Sequence, residues 1–308
     1  MRLVSFEGGF GRVEGDLVVP LGNDLVAYLE GLTAERARAA AAETATASAA
    51  ARPATTSPIA AAATPASEAH TAAATVTSSI SAAPLSSLRL RAPVSRPGKV
   101  VCIGLNYRDH AAESGQVVPE VPVLFPKFAN SVIGPGEAIV IPSGVEMVDY
   151  EAELGVVIGR RCARVGREDA LSYVGGYLCA NDVSARSMQR RISQWLWGKA
   201  IDTFLPTGPW LVTADEIPDP QALSIRCWVS GELMQESSTA QMVFTVADLV
   251  SHISRTMTLE PGDLIVTGTP AGVGFARRPP RWLVEGDQVT VEIDGIGALT
   301  NPVAREGA

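Results

Sequence analysis

Asp149-Tyr150-Glu151-Ala152-Glu153-Leu154-Gly155-Val156-Val157-Ile158-Gly159 is the stretch on which the fold turns. It reads as a β-strand with two carboxylates at its head. Strand side chains alternate, so Glu151 and Glu153 share one face while Ala152 and Leu154 take the other. The Val156–Ile158 run is apolar at every position, the pattern of a strand covered on both faces. Two like charges at the mouth of a buried strand repel and are costly to desolvate, so such a pair shares a proton or holds a cation. In isolation an E-x-E pair is more often the solvated face of an alternating strand; the residues downstream decide against that here.

The 308 residues give room for one large domain plus a small one, or for two of ordinary size. A hydrophobic fraction of 46% supports a core, although a long Ala-rich stretch inflates it. A net charge of −8 with no basic stripe excludes a nucleic-acid partner. No signal-peptide core and no bilayer-length apolar segment occur, so no membrane partner and a cytoplasmic location are expected. Four cysteines lie far apart without a C-x-x-C pair, which predicts free buried thiols. Three widely spaced histidines exclude a His-rich metal centre.

Outward from the central strand, residues 1–42 read as a small N-terminal domain: short strands at Leu3–Phe6, Arg12–Glu14 and Leu17–Pro20, then a helix over Asp24–Glu30. Residues 43–88, rich in Ala, Thr, Ser and Pro, read as a flexible linker whose Ala-rich opening can continue that helix. His70 within it is expected to be solvated and without a role. Residues 89–308 form the main domain. There Lys99–Gly104 is a buried strand by its β-branched content. Asn106 is read as the N-cap and Gly115 as the stop of a helix on which His110 and Glu113, i and i+3, share a face. A carboxylate beside an imidazole orients it and raises its basicity, as a water-activating base requires; alone, such a pair is more often a surface feature. Asp182 ends an apolar strand, as an N-cap or as a third carboxylate. Lys199 stands among Trp195, Trp197 and Ile201, in a partly apolar setting that a snorkelling lysine would also suit. The glycine-rich turn Gly268-Thr269-Pro270-Ala271-Gly272-Val273-Gly274 lacks the Walker pattern and suits close approach to a small acidic ligand.

Glu151, Glu153 and Asp182 together make an all-oxygen set at strand ends, which favours Mg²⁺ or Mn²⁺, with Ca²⁺ admitted, over zinc. At this point the chain resembles the fumarylacetoacetate hydrolase family, from about Leu90 to Val303. The blocks that carry the resemblance are Ile103–Glu113, Asp149–Gly159, Asn181–Gln189, Gly198–Pro209 and Thr267–Gly274, in family order. The N-terminal segment is also similar to the small first domain of many bacterial members.

The resemblance implies an α+β, predominantly β fold: a mixed β-sandwich roll with few helices behind a small N-terminal domain, assembled as a homodimer. It implies a divalent ion on Glu151, Glu153 and Asp182, and a small 2-oxo or 1,3-diketo acid as substrate. His110, held by Glu113, would be the base for water; Lys199 would stabilise an enolate; and Lys127, Arg186, Gln189, Thr269 and Tyr107 would bind the acid. The His110–Glu113 helix would act as a lid. On that basis the expected reaction is hydrolysis of an acylpyruvate to pyruvate and a carboxylic acid. The alternative is oxaloacetate-type decarboxylation, or a hydratase or isomerase step of aromatic catabolism. A non-catalytic binding protein ranks last, because a buried like-charge cluster is destabilising. Three departures from the family pattern fall near the site: Phe128 for proline, Ala200-Ile201 for Ser-Phe, and the bulky Trp197.

Overall fold

The computed structural model describes residues 1–50 and 82–307. In these residues the fold is predominantly β with few helices, as the family resemblance implies. The Ala152–Ile158 strand, buried at every position, lies near the middle of a 12-stranded sheet. It pairs antiparallel with Val174–Asn181 on one side and with Leu264–Val266 on the other. Beyond Leu264–Val266 come Val100–Gly104, in parallel, and Val123–Lys127. A second sheet runs in the order Glu232–Ser238, Ser224–Val229, Gln288–Ile293, Gly297–Arg305, Ile139–Ile141.

The alternation read in the sequence sorts the core. Ala152, Leu154, Val156 and Ile158 pack with Ile225, Cys227, Val291 and Ile293 of the second sheet. Val157 turns the other way, among Leu3, Leu29, Cys102 and Leu178. Glu151 and Glu153 keep the parity of Val157, so two carboxylates head that second face, where a cavity replaces packed side chains.

Arg2–Phe6 pairs with Leu205–Thr213, so Arg2–Phe6, Gly9–Glu14 and Leu17–Gly22 extend the main sheet. The helix that follows spans Leu25–Ala50 and passes the expected boundary at 42, because alanine is the best helix former and nothing interrupts the run. Leu25, Leu29 and Thr33, spaced by four, are its buried stripe. Arg36 ties it to the sheet by donating to the Val174 carbonyl at 2.7 Å. At the other end of the expected linker, Ala83–Pro84 pairs with Leu17–Gly22. The rest of that segment, His70 included, lies outside the described residues. No helix among the described residues is long and apolar enough to cross a membrane, and all four cysteines are buried free thiols.

Candidate active site

Glu151, Glu153 and Asp182 converge: one ligand oxygen from each lies within 4.8 Å of the others, and all three residues are buried. The local reason is sheet register. Ala152 pairs with Asn181, which sets Glu151 beside Asp182, and the Asp182 N–H donates to the Glu151 carbonyl at 2.9 Å. Asn181 Oδ1 accepts from the Glu151 N–H at 3.0 Å and pins the strand head.

Three cations surround the cluster. Lys199 Nζ donates to Glu151 Oε2 at 2.7 Å and to Asp182 Oδ2 at 2.8 Å. Arg186 donates to Glu151 Oε1 at 2.6 Å, to Asp149 Oδ2 at 2.9 Å and to Gln189 Oε1 at 2.9 Å. Lys127 Nζ lies 2.9 Å from Asp182 Oδ1 and donates to the Val183 and Phe204 carbonyls. Burial alone would raise Glu151, but Lys199 and Arg186 outweigh it and hold its pKa down at about 2. Burial likewise opposes the charge of Lys199, yet Asp182 and Glu151 push it up to about 12, so it stays a cation.

Among the described residues Glu153 has no such partner. It accepts a hydrogen bond from the Gly268 N–H at 2.5 Å, and burial, with Asp182 and Glu151 adding repulsion, drives its pKa well up. A hard divalent cation among the three carboxylates would relieve that repulsion. Each oxygen paired to Lys199, Arg186 or Lys127 keeps a second lone pair for a ligand bond. The donor set therefore fits Mg²⁺, Mn²⁺ or Ca²⁺.

Above the cluster, the helix Arg108–Ser114 ends on Gly115 in the left-handed region, φ 65°. Its cap is Tyr107; Asn106 instead bonds the Thr267 and Phe244 backbone, fastening the helix root to the sheet. His110 Nδ1 lies 2.8 Å from Glu113 Oε1, and Glu113 Oε2 accepts from the Gly272 N–H at 2.9 Å. Asp109 takes the Ser237 hydroxyl at 2.5 Å. The helix is thus docked over the cavity, with His110 linked through Glu113 to the glycine-rich turn.

That turn meets protein, not open space. A Cβ at Gly268 (φ 97°) would overlap the Asn106 Cβ, and one at Gly272 (φ 100°) the Met234 carbonyl oxygen. Thr269 spends its one hydroxyl proton on the Ala152 carbonyl, at 2.9 Å, and accepts from Gln235 at 2.8 Å.

A cavity of about 310 Å³ is lined by His110, Glu151, Glu153, Arg186, Gln189, Lys199 and Thr269. The structure brings these sequence-predicted residues together, with Glu113 one bond behind His110. It does not bring Lys127 or Tyr107 to the cavity. Lys127 sits behind Asp182, fully buried, where its ammonium is consumed by Asp182 and two carbonyls. Tyr107 is fully buried, and among the described residues its hydroxyl finds no hydrogen-bond partner. Phe128, Trp197, Ala200 and Ile201, the departures noted above, line a separate surface cleft.

Several cavity residues escaped the sequence reading. Phe125, Trp195, Phe275, Gln116 and Arg190 line the walls. Asp149 lies one shell out, accepting from Arg186, from the Gly274 N–H at 2.7 Å and from the Phe275 N–H at 3.2 Å. Its place two residues before Glu151 was the only available signal.

The sequence profile described as fumarylacetoacetate (FAA) hydrolase C-terminal matches residues 99–304. The mitochondrial oxaloacetate tautomerase FAHD2B of Bos taurus is 47% identical over 230 residues, 74% of this chain and 73% of its own. The mitochondrial oxaloacetate tautomerase fahd2 of Xenopus laevis is 50% identical over 220 residues, 71% of this chain and 69% of its own. Among solved structures, the 2-hydroxyhepta-2,4-diene-1,7-dioate isomerase from Mycobacterium marinum aligns with TM-score 0.66 and 42% identity, covering 74% of this chain and 82% of its own. The maleylpyruvate hydrolase from Sphingobium sp. SYK-6 aligns with TM-score 0.74 and 29% identity over 99% of this chain and 100% of its own.

Proposed function

The chain belongs to the fumarylacetoacetate hydrolase family of enzymes, and from that premise we propose that it relocates a proton on an oxaloacetate-type 2-oxo acid, as a divalent-metal-dependent keto–enol tautomerase. The observation that carries this reading is the His110–Glu113 pair beside the Glu151, Glu153, Asp182 and Lys199 cluster on one cavity. The similarity to oxaloacetate tautomerases favours this reaction over acylpyruvate hydrolysis, the first expectation from the sequence.

A divalent cation held by Glu151, Glu153 and Asp182 would polarise the 2-oxo group and acidify the adjoining C–H bond. Glu113 holds His110 through Nδ1, and Nε2 makes no hydrogen bond among the described residues, so Nε2 is the atom to take the C3 proton. The C–H electron pair becomes the C2–C3 double bond, and charge gathers on the 2-oxygen. Lys199, held protonated, uses two N–H groups on carboxylates and keeps a third for that oxygen. Return of a proton to the 2-oxygen completes the enol; no water is consumed.

Hydrolysis is the second reading, favoured by the full-length likeness to maleylpyruvate hydrolase. The same Nε2 would then deprotonate water. One experiment separates the two. Purified protein with Mg²⁺ is given oxaloacetate and acetylpyruvate, with enol absorbance and released pyruvate followed in parallel. The tautomerase reading expects faster enol–keto exchange of oxaloacetate without pyruvate release, lost by at least a hundredfold in His110→Ala. Stoichiometric pyruvate and acetate from acetylpyruvate, with no acceleration on oxaloacetate, would replace it by the hydrolase.

A further inference from the structure

We propose that Arg190 reads the second carboxylate of the substrate and so sets a preference for 2-oxo dicarboxylic acids over 2-oxo monocarboxylic ones. This deepens the tautomerase reading and rests on it for the kind of acid bound. Arg186 was expected to orient the acid, but its guanidinium is already committed to Asp149, Glu151 and Gln189. The next cation outward is different. Arg190 follows the short helix Arg186–Gln189, with its N–H on the Arg186 carbonyl, so the two arginines are i and i+4 on one side of the turn. Both guanidiniums pack on Phe275, at 4.8 Å for Arg186 and 4.6 Å for Arg190 from the ring centroid. Phe275 is itself fixed, its backbone N–H donating to Asp149 Oδ2 and its ring in T-shaped contact with the His110 imidazole.

The result is a column of two arginines rising from the carboxylate cluster to the cavity mouth. The inner one is neutralised by Asp149 and Glu151. The outer one lines the cavity, and among the described residues no carboxylate pairs with it. An exposed arginine ordinarily wanders; stacking on a fixed aromatic ring limits that freedom before any ligand arrives. An acid whose 2-oxo carboxylate end sits at Glu151, Glu153 and Asp182 would extend its far end toward the mouth. A carboxylate there meets the one undischarged guanidinium in the wall, in a geometry that permits two parallel hydrogen bonds. The remaining wall residues near the mouth, Ile192, Trp195 and Gln116, offer no charge to a second acid group.

The test is calorimetric binding in Mg²⁺ of oxaloacetate and of its 4-methyl ester, which share the 2-oxo acid end and differ at the far carboxylate. Wild type should prefer the diacid by about tenfold or more, the scale of a charged hydrogen-bonded pair. Arg190→Ala should bring the ratio to about one while leaving the ester's affinity within about twofold, and Arg190→Lys should keep part of the preference. An equal loss on both ligands would make Arg190 a wall residue, and a ratio unchanged in Arg190→Ala, or absent in wild type, would also overturn the inference. Neither arm needs turnover. An Arg190-dependent preference in a protein that accelerates no enol–keto exchange would uphold the inference and sink the tautomerase reading. Exchange with a preference indifferent to Arg190 would do the reverse.

Discussion

Lys127→Met separates two roles that a sequence cannot. If Lys127 bound the acid, its loss would raise KM and leave the fold intact. The structure puts it elsewhere: Nζ lies 2.9 Å from Asp182 Oδ1, 2.9 Å from the Val183 carbonyl and 2.6 Å from the Phe204 carbonyl, with both charged side chains fully buried. Removing one partner of a buried pair costs about 3–5 kcal/mol, because the other charge is left behind. Three effects reduce this. Met fills nearly the same space, and the lysine itself is penalised, since burial pushes its pKa down against the pull of Asp182. Lys199 also remains on Asp182 Oδ2. A loss near the lower end, about 3 kcal/mol, is therefore expected. At about 2–4 °C per kcal/mol for a domain of this order of size, Tm should fall by about 6–12 °C. Scanning calorimetry of wild type and variant reads this directly, alongside KM in saturating Mg²⁺. A Tm within about 2 °C of wild type with a tenfold rise in KM would refute the argument and return Lys127 to the substrate.

Two further outcomes follow from the same geometry. Tyr107→Phe removes a buried hydroxyl that has no hydrogen-bond partner among the described residues, so stability should hold or rise by up to about 1 kcal/mol with KM unchanged; a severalfold rise in KM would place that hydroxyl on the acid. Mg²⁺ or Mn²⁺ at about a hundred times Kd should stabilise the protein by about 2.7 kcal/mol, read as a rise in Tm that EDTA reverses and that Glu153→Gln largely abolishes. A thermal shift indifferent to Glu153→Gln would mean that the cation sits elsewhere.

What the sequence made legible was local. Glu151 and Glu153 at i, i+2, and His110 and Glu113 at i, i+3, carry their geometry in their spacing, and the strand and helix they imply are present. Gly115 ends its helix for the same local reason. The misreadings all depend on distant partners. Asn106 has the chemistry of an N-cap, but Thr267 and Phe244, far along the chain, claim its amide. The charge of Lys127 is visible in sequence, whereas Asp182 and Phe204 behind it are not. Asp149 stood in the opening stretch without a role, because its partner Arg186 lies 37 residues on. The join of the first strands to the main sheet was likewise out of reach, because Leu205–Thr213, which pairs with Arg2–Phe6, lies far along the chain.

The charges of the cluster tie these placements to the chemistry. Asp149, Glu151, Glu153 and Asp182 are four carboxylates against the three cations Lys127, Arg186 and Lys199, so the ionised cluster carries one net negative charge. An anionic acid entering it alone would be repelled. With a divalent cation the sum becomes one positive charge, and the same acid is attracted. Structural lysines and arginines are thus set one short of the number that would satisfy the carboxylates. Glu153 shows the deficit: it is the carboxylate with a backbone N–H in place of a cation, and burial together with repulsion from Asp182 and Glu151 opposes its ionisation. Were Lys127 free to reach the acid, Asp182 would lose the counter-charge 2.9 Å from its Oδ1 just when the proposed function asks it to hold a cation. Under the proposed function, its burial behind Asp182 would help the cavity keep both a dication site and a field that favours a developing enolate.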